Sequence, residues 1–487
     1  MALVTPTEPV PLKELGRVHF VGIGGAGMSG IARIMLARGV EVSGSDTTAD
    51  SAAVAELAAL GARVHVGHAA GQLGAADTLV VSSAIRADNP ELVEANSRGL
   101  RVVHRAAALA SLMVGRRVIA VTGTHGKTST TSMITTVLLE TGADPAYAIG
   151  GVLAATGIGA ADGGGDFIAE ADESDGSFLM YAPDVAVVTN VESDHLDNYG
   201  TEAAYRASFT AFLGRIKPGG ILVACADDPG TRDLAAQARA LGLRVVSYGE
   251  SADADYRVTG VATDGMETSL AISAEPRRSA GDSNPGPFGR TEFDLHLRVP
   301  GHHYALNAAA AFAAVVELGI EPARAAAALS TYRGAARRLE PKGEAGGVRV
   351  LDTYAHHPTE LAADLSAARA IVAGRGRVIA VFQPHLFSRT RIFAAEFGAA
   401  LGLADEAVVL DVYAAREDPE PGVTGRLVAD AVPGGAVRYI PDFGDVPKVV
   451  AELARPGDLV LTMGAGDITK LGPLVLEQIE ASGVSRP

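Results

Sequence analysis

Val118-Ile-Ala-Val-Thr-Gly-Thr-His-Gly-Lys-Thr-Ser-Thr130 is the stretch on which the fold of this chain turns. Its β-branched and small apolar residues predict a buried strand, its glycines a tight loop, and a helix is expected to start near Lys127. A strand, a glycine loop and a helix N-terminus in that order cradle nucleotide phosphates. Gly123 and Gly126 let successive backbone N–H groups converge on an anion. Lys127 supplies a point charge for the β and γ phosphates, and Thr128 offers a hydroxyl to Mg²⁺. The position four before His125 is Val121 rather than Gly, so the loop is the short form T-G-T-H-G-K-T of the general G-x-x-x-x-G-K-[ST] pattern. The reading is a protein that uses ATP. Lys127 is expected to lie exposed on its loop, where a lysine adds little to stability.

Upstream, Val18-His-Phe-Val21, a glycine run, a helix through Arg38, Val40-Glu-Val-Ser43, a helix over 52–60 and Thr78-Leu-Val-Val81 form a βαβαβ pattern, which implies a parallel sheet. The glycine run, Gly22-Ile-Gly24-Gly-Ala-Gly27, follows a strand and opens a helix, and Asp46 ends the next strand. That matches the dinucleotide-binding fingerprint and by itself suggests a nicotinamide enzyme. The physical requirement, however, is only a diphosphate on a helix N-terminus, which a nucleotide sugar meets equally well.

Downstream, strands are expected at Phe167-Ile-Ala-Glu170, Val185-Ala-Val-Val-Thr-Asn190, Gly220-Ile-Leu-Val-Ala224 and Arg244-Val-Val-Ser247. Two of them end in acidic runs, Glu170-Ala-Asp-Glu-Ser-Asp175 and Thr189-Asn-Val-Glu-Ser-Asp-His195-Leu-Asp197. Carboxylates at strand ends beside a phosphate loop suit Mg²⁺, a hard ion that takes one or two carboxylates with phosphates and water. His195 is a less usual ligand for it, and a hydrogen-bonding role stays open. Residues 274–290, rich in Pro, Gly, Ser and Arg, read as a mobile loop or insertion. Helices over about 304–318 and 322–331 lead to Arg337-Arg338. A last αβ unit has strands at Arg349-Val-Leu-Asp352, Val378-Ile-Ala-Val-Phe382, Glu406-Ala-Val-Val-Leu410 and Asp458-Leu-Val-Leu-Thr462. Its Asp352-Thr-Tyr-Ala-His-His-Pro358 and Phe382-Gln-Pro-His-Leu-Phe-Ser-Arg389 segments place His, Tyr and Arg where they can grip a small carboxylate substrate. Zinc at His356 and Glu360 is disfavoured, because Pro358 is expected to interrupt the helix that would align the ligands.

Composition agrees with a multidomain α/β protein. At 487 residues the chain exceeds one ordinary core, and about 100 to 200 residues per domain gives three. Its positive mean hydropathy comes from Ala and Gly, with no Trp, and neither a membrane-spanning run nor a signal peptide is read. A net charge of −16 argues against nucleic acid as a partner. The single cysteine, Cys225, forms no internal disulfide, reads as a small core residue and points to the cytoplasm.

These motifs in this order resemble the Mur ligases over nearly the whole chain. The most specific parts are His19-Phe-Val-Gly-Ile-Gly-Gly-Ala-Gly-Met-Ser-Gly30, Thr122 to Thr128, Glu170 to Asp175, Thr189 to Asp197 and Tyr354-Ala-His-His-Pro-Thr-Glu360. The resemblance implies three domains: a Rossmann-like UDP-sugar domain at 1–113, a central P-loop ATPase-like domain at 114–332 with a mainly parallel sheet, and a Rossmann-like C-terminal domain at 333–487. It implies amide ligation with ATP, in which the lactyl carboxylate of UDP-N-acetylmuramate becomes an acyl phosphate and the amine of L-alanine displaces the phosphate. This is the first peptide step of peptidoglycan precursor synthesis. Mg²⁺ (or Mn²⁺) is the implied metal, with no nucleic-acid partner, no membrane insertion, and a monomer or homodimer.

Carried over residue by residue, Lys127, Glu170 and His195 are the implied catalytic positions, and Thr128, Glu170 and His195 the metal positions. Gly123, Thr124, His125, Gly126, Lys127, Thr128, Ser129, His303, Asn307, Arg338 and Asp352 are implied for ATP. Gly24, Gly25, Ala26, Gly27, Met28, Ser29, Asp46 and Ser82 are implied for the UDP sugar, and Tyr354, His356 and Arg389 for the amino acid. Three positions depart from the family pattern. Tyr304 stands where Asn is usual, Thr353 where a second Asp is usual, and Leu386 where Arg commonly follows Gln-Pro-His. The last removes one candidate for the alanine carboxylate and shifts that contact to Arg389. Three other readings compete. A murein peptide ligase of cell-wall recycling shares most motifs, but Tyr354 differs from the aromatic expected there. An NAD-dependent oxidoreductase leaves the Lys127 loop unexplained. A noncatalytic binding protein would not require Lys127, Glu170 and His195 together.

Overall fold

A computed structural model describes residues 3–48, 51–274, 291–415 and 417–482. The first sheet has five strands, β1 (Val18–Val21), β2 (Val42–Asp46), β3 (Arg63–Val66), β4 (Thr78–Val81) and β5 (Arg101–His104), in the order β3-β2-β1-β4-β5. All four pairings are parallel, as the alternation of strands and helices requires. β3 and β5 are additions to the sequence reading. Each is a four-residue edge strand with little buried surface, so neither shows a hydrophobic run.

The second sheet comprises β6 (Val118–Thr122), β7 (Ala146–Ala148), β8 (Ala160–Ala161), β9 (Phe167–Glu170), β10 (Val185–Val188), β11 (Ile221–Cys225), β12 (Arg244–Gly249), β13 (Tyr256–Asp264), β14 (Glu267–Ala274) and β15 (Thr291–Leu297). Its order is β15-β14-β13-β12-β11-β10-β6-β9-β7-β8. β6 is buried along its length and pairs in parallel with β9 and β10, so the loop that follows it opens at the carboxyl edge between both acidic runs. The loop expected at 274–290 lies outside the described residues, apart from Ala274 at the end of β14.

The third sheet comprises β16 (Glu340–Ala345), β17 (Val348–Thr353), β18 (Val378–Phe382), β19 (Glu406–Val409), β20 (Val437–Tyr439) and β21 (Leu459–Met463), in the order β16-β17-β21-β18-β19-β20. Only β16 runs antiparallel to its neighbour. β21, last in the chain, sits between β17 and β18, and that reversal of order opens a crevice at the carboxyl ends.

The chain divides into two compact units, Met1–Val258 with Ile272–Phe293 and Asn307–Leu329, and Thr259–Ala271 with Asp294–Leu306 and Ser330–Pro487. In the first, one apolar core joins Phe20, Met35 and Leu112 to Phe167, Phe178 and Phe212. In the second, Val350, Ile379, Val408, Val460 and Val475 form the core. Cys225, at the end of β11, is buried as expected, and burial pushes its thiol up to about 11. Among the described residues no helix is long and apolar enough to cross a membrane.

Candidate active site

The helix Lys127–Glu140 begins at Lys127, with Gly126 as its N-cap at φ +77. A Cβ at Gly126 would lie 2.5 Å from Asn307 Oδ1, so both the backbone angle and the space demand glycine. The residues after β10 pin the loop. Thr124 N–H donates to the Asn190 carbonyl (3.1 Å), His125 N–H to Asn190 Oδ1 (2.8 Å), and Thr189 Oγ1 to the His125 carbonyl (2.5 Å). Asn307 is also reached from the helix, through the Thr130 hydroxyl at 3.3 Å.

Lys127 is not an exposed loop lysine, contrary to the sequence expectation. Its side chain is 16% exposed and its Nζ lies 2.9 Å from Glu173, a wholly buried carboxylate, while it also donates to the carbonyls of Gly123 (2.8 Å) and Thr124 (3.0 Å). Burial works against the ammonium, but Glu173, Asp172 and Glu170 outweigh it and raise the lysine above its ordinary value. The Thr128 hydroxyl donates to Glu170 Oε1 at 3.0 Å, and Glu170 Oε2 accepts the Gly150 N–H at 2.7 Å. His195, at φ +53, points Nε2 at Glu173 (3.4 Å) and Asp194 (3.5 Å). The loop, both acidic runs, His195 and Asn307 are thus brought together.

The acidic loop after β9 is also tied to the N-terminal sheet. Arg105 Nη2 donates to Asp172 Oδ2 at 2.7 Å, and the Ser83 hydroxyl donates to Asp175 Oδ2 at 2.6 Å. His104 Nδ1 accepts the Ala106 N–H, which leaves the ring proton on Nε2, 3.1 Å from Ser83 Oγ. Burial favours this neutral imidazole and lowers its pKa. At the glycine run, Gly22 and Ile23 N–H donate to the Ser45 carbonyl (2.8 and 3.0 Å), and Gly24 N–H donates to Asp46 Oδ2 (2.9 Å). Gly25 caps the helix Ala26–Ala37, within which Gly27, Ser29 and the buried Met28 lie; Met28's side chain belongs to the core, so what it can offer a ligand is its backbone N–H. Ser82 directly follows β4.

In the second unit, candidate residues gather at the crevice of the third sheet. Arg337 and Arg338 place their guanidinium carbons 4.9 and 5.1 Å from the Tyr354 ring centroid. The His356 ring lies 5.2 Å from Tyr354 and 5.9 Å from His385, which stacks on Tyr413. Asp352 is wholly buried, its carboxylate accepting from Thr462 Oγ1 (2.7 Å), Thr469 Oγ1 (2.8 Å) and Arg337 Nε (3.2 Å). Arg389 is buried in the helix Phe387–Leu401. Pro358 does not interrupt a helix, as the sequence reading had it. It starts one, Pro358–Val372, capped by His357, because the first helical position needs no N–H donor. His303 Nε2 lies 3.5 Å from Asp364 Oδ1. Burial holds the imidazole down at about 4 and pushes the carboxyl up to about 7, so the pair is not an ion pair near neutrality.

Residues 17–117 match the Mur ligase family, catalytic domain; residues 121–315 match the Mur ligase middle domain; and residues 337–466 match the Mur ligase, glutamate ligase domain. The chain belongs to the Mur ligase family. It is 56% identical over 487 residues to a UDP-N-acetylmuramate--L-alanine ligase of Thermobifida fusca, covering 98% of this chain and 100% of that one. It superposes on the solved UDP-N-acetylmuramate-alanine ligase of Thermotoga maritima with a TM-score of 0.78 at 28% identity, over 96% of this chain and 99% of that one. A murein peptide ligase from Psychrobacter arcticus shares the fold, with a TM-score of 0.69 at 24% identity over 96% and 99% of the two chains.

Within this Mur ligase, two of the three departures from the family pattern have new partners. The Tyr304 hydroxyl donates to the Arg338 carbonyl at 2.9 Å, and Thr353 Oγ1 donates to Asp364 Oδ2 at 2.5 Å. Leu386 is buried at φ +70, its carbonyl accepting the Thr390 N–H at the start of the helix that carries Arg389. Sequence reasoning passed over Glu173 as a partner for Lys127, although it lies in an acidic run already quoted. It passed over Arg105 entirely, for which no local motif exists.

Proposed function

We propose that this Mur ligase joins L-alanine to the lactyl carboxylate of UDP-N-acetylmuramate at the expense of ATP, in the cytoplasm. The observation that carries the chemistry is the Lys127 ammonium held between two loop carbonyls and Glu173, with the Thr128–Glu170 pair at the very next residue. Identity of 56% over essentially full length supports the choice of substrates.

ATP phosphates lie along the N-terminus of the helix Lys127–Glu140, since the Thr124 and His125 N–H groups are held by Asn190, with Lys127 turned from Glu173 toward the γ phosphate. The lactyl carboxylate oxygen attacks the γ phosphorus, the bond to the β-bridging oxygen breaks, and ADP leaves. Lys127 and the helix N-terminus meet the charge of the transferring group. The alanine nitrogen then attacks the acyl carbon, loses a proton, and the bond to the phosphate oxygen breaks, giving an amide and inorganic phosphate. A carboxylate without that phosphate is a poor acylating agent, which is why ATP is required.

The residues fit a divalent cation. Thr128 Oγ1 and Glu170 Oε1 are hard oxygen donors 3.0 Å apart at the end of the loop, and His195 is the third candidate. Bound there, Mg²⁺ supplies charge neutralisation for the phosphates. His303, Asn307 and Arg338 are assigned to ATP, the glycine run with Ser82 to the UDP sugar, and Tyr354, His356 and Arg389 to L-alanine. A nicotinamide reading is not favoured: it leaves the Lys127 loop and the Thr128–Glu170 pair without a role.

The test is phosphate release by purified protein with ATP, Mg²⁺ and UDP-N-acetylmuramate, comparing L-alanine, the tripeptide L-alanyl-γ-D-glutamyl-meso-diaminopimelate and no amine. Release that needs both the sugar and L-alanine is expected. Release with the tripeptide alone would assign the chain to recycling.

A further inference from the structure

Behind the glycine run lies a buried polar cluster that none of the ligand assignments uses. Glu91, in the first turn of the helix Pro90–Ser97, is 0% exposed. Its Oε2 accepts from Ser45 Oγ at 2.6 Å and lies 3.2 Å from His68 Nδ1, and its Oε1 faces His19 Nε2 at 3.4 Å. His19 is likewise 0% exposed, and its Nδ1 lies 2.9 Å from Ser43 Oγ. His68 Nδ1 is also 2.8 Å from Ser45 Oγ. Burial by itself would raise the Glu91 carboxyl, but His19, Ser45 and His68 outweigh it and keep the group below its ordinary value.

An anion buried beside β1 and β2 carries a desolvation cost that apolar packing would avoid, and so its placement calls for a reason. The reason lies on the far side of Ser45. The same residue whose hydroxyl is held by Glu91 presents its carbonyl to the Gly22 and Ile23 N–H groups, and the next residue, Asp46, takes the Gly24 N–H. Three consecutive amides of the glycine run are therefore set by two residues of β2, one of which is anchored to Glu91. A shift of Ser45 would move all three together.

We propose that Glu91 is a positioning residue for the nucleotide-sugar site, acting through Ser45 to hold the glycine run in the shape that receives a diphosphate; this rests on the ligase reading above. It touches no ligand. Its effect falls on binding of the UDP sugar and spares both ATP and the chemical steps.

The test is steady-state kinetics and calorimetric binding of UDP-N-acetylmuramate for the wild type, Glu91→Gln, Glu91→Ala and Ser45→Ala. Glu91→Ala and Ser45→Ala are expected to raise KM and Kd for the sugar about tenfold, with Glu91→Gln in between, because it keeps an acceptor for Ser45 but loses the charge. The kcat at saturating sugar and the KM for ATP should stay within about twofold of wild type. A merely structural loss would lower the active fraction, and with it the apparent kcat, leaving the sugar KM unmoved. An unchanged sugar KM, or a rise in the ATP KM of equal size, would overturn the proposal. If the Glu91 variants fail to fold, Ser45→Ala decides alone. Should the wild type bind the sugar yet fail to turn over L-alanine, the ligase reading fails while the binding comparison still decides the role of Glu91. Wild type that binds no UDP sugar would overturn both.

Discussion

Arg105, on the first helix after β5, and Asp172, on the loop after β9, are joined by a 2.7 Å charge-assisted hydrogen bond. Asp172 is held well below the usual carboxylate range because Arg105 and Lys127 outweigh the effect of its burial. The N-terminal sheet therefore contributes a cation to the same acidic loop that neutralises the P-loop lysine. Truncating Arg105 leaves Asp172 to compete for Lys127. Arg105→Ala is expected to lower kcat/KM by about ten- to a hundredfold, a cost of about 1.4 to 2.8 kcal/mol. Phosphate release with varied UDP-N-acetylmuramate measures it; an unchanged kcat/KM would show that the Arg105–Asp172 pair does not affect turnover.

Lys127→Ala should abolish turnover, and it should also destabilise the fold, because Glu173 would be left buried without its cation. Breaking a buried pair by removing one partner costs about 3 to 5 kcal/mol. Adding Glu173→Gln to Lys127→Ala is expected to recover much of that loss without recovering activity. Thermal unfolding of the single and double variants provides the comparison, and a single variant as stable as wild type would contradict it.

Gly126→Ala places a methyl group against Asn307 at a backbone angle that alanine avoids. The expected cost is about 1 to 3 kcal/mol, concentrated in the loop. The KM for ATP should rise while circular dichroism in the far ultraviolet stays that of the wild type.

The Asp364 carboxyl gives the second unit a pH signature. Its folded-state pKa is pushed up to about 7 by burial, with nearby Glu360 adding to the rise and Thr353 and Arg338 opposing it. A carboxyl raised above its unfolded value of about 3.9 favours the folded state fully below that value and loses the contribution, at about 1.4 kcal/mol per unit, as pH climbs from about 4 to about 7. Asp364→Asn should flatten the dependence of the unfolding midpoint on pH between about 4 and 7. Equal slopes in both proteins would show that Asp364 ionises normally.

The sequence made legible what local patterns encode. β6 and the helix start at Lys127 emerged because strand, glycine turn and cap are contiguous, and β9 and β18 were expected at the residues they occupy. Hidden were relations across distance. Arg105 lies 67 residues from Asp172, and Glu91 lies 46 from Ser45, spans over which neither periodicity nor spacing carries information. Pro358 was misread for a different reason: proline breaks a helix interior but suits its first turn, and only the cap at His357 tells the two apart.

Cys225 leaves the chain nearly silent to thiol chemistry. It is the only cysteine, 5% exposed at the end of β11, with a thiol that stays protonated at working pH. Maleimide dyes and spin labels should therefore react with a cysteine newly introduced on an exposed helix and pass Cys225 by, so distances within either unit can be followed in solution without first deleting a native residue.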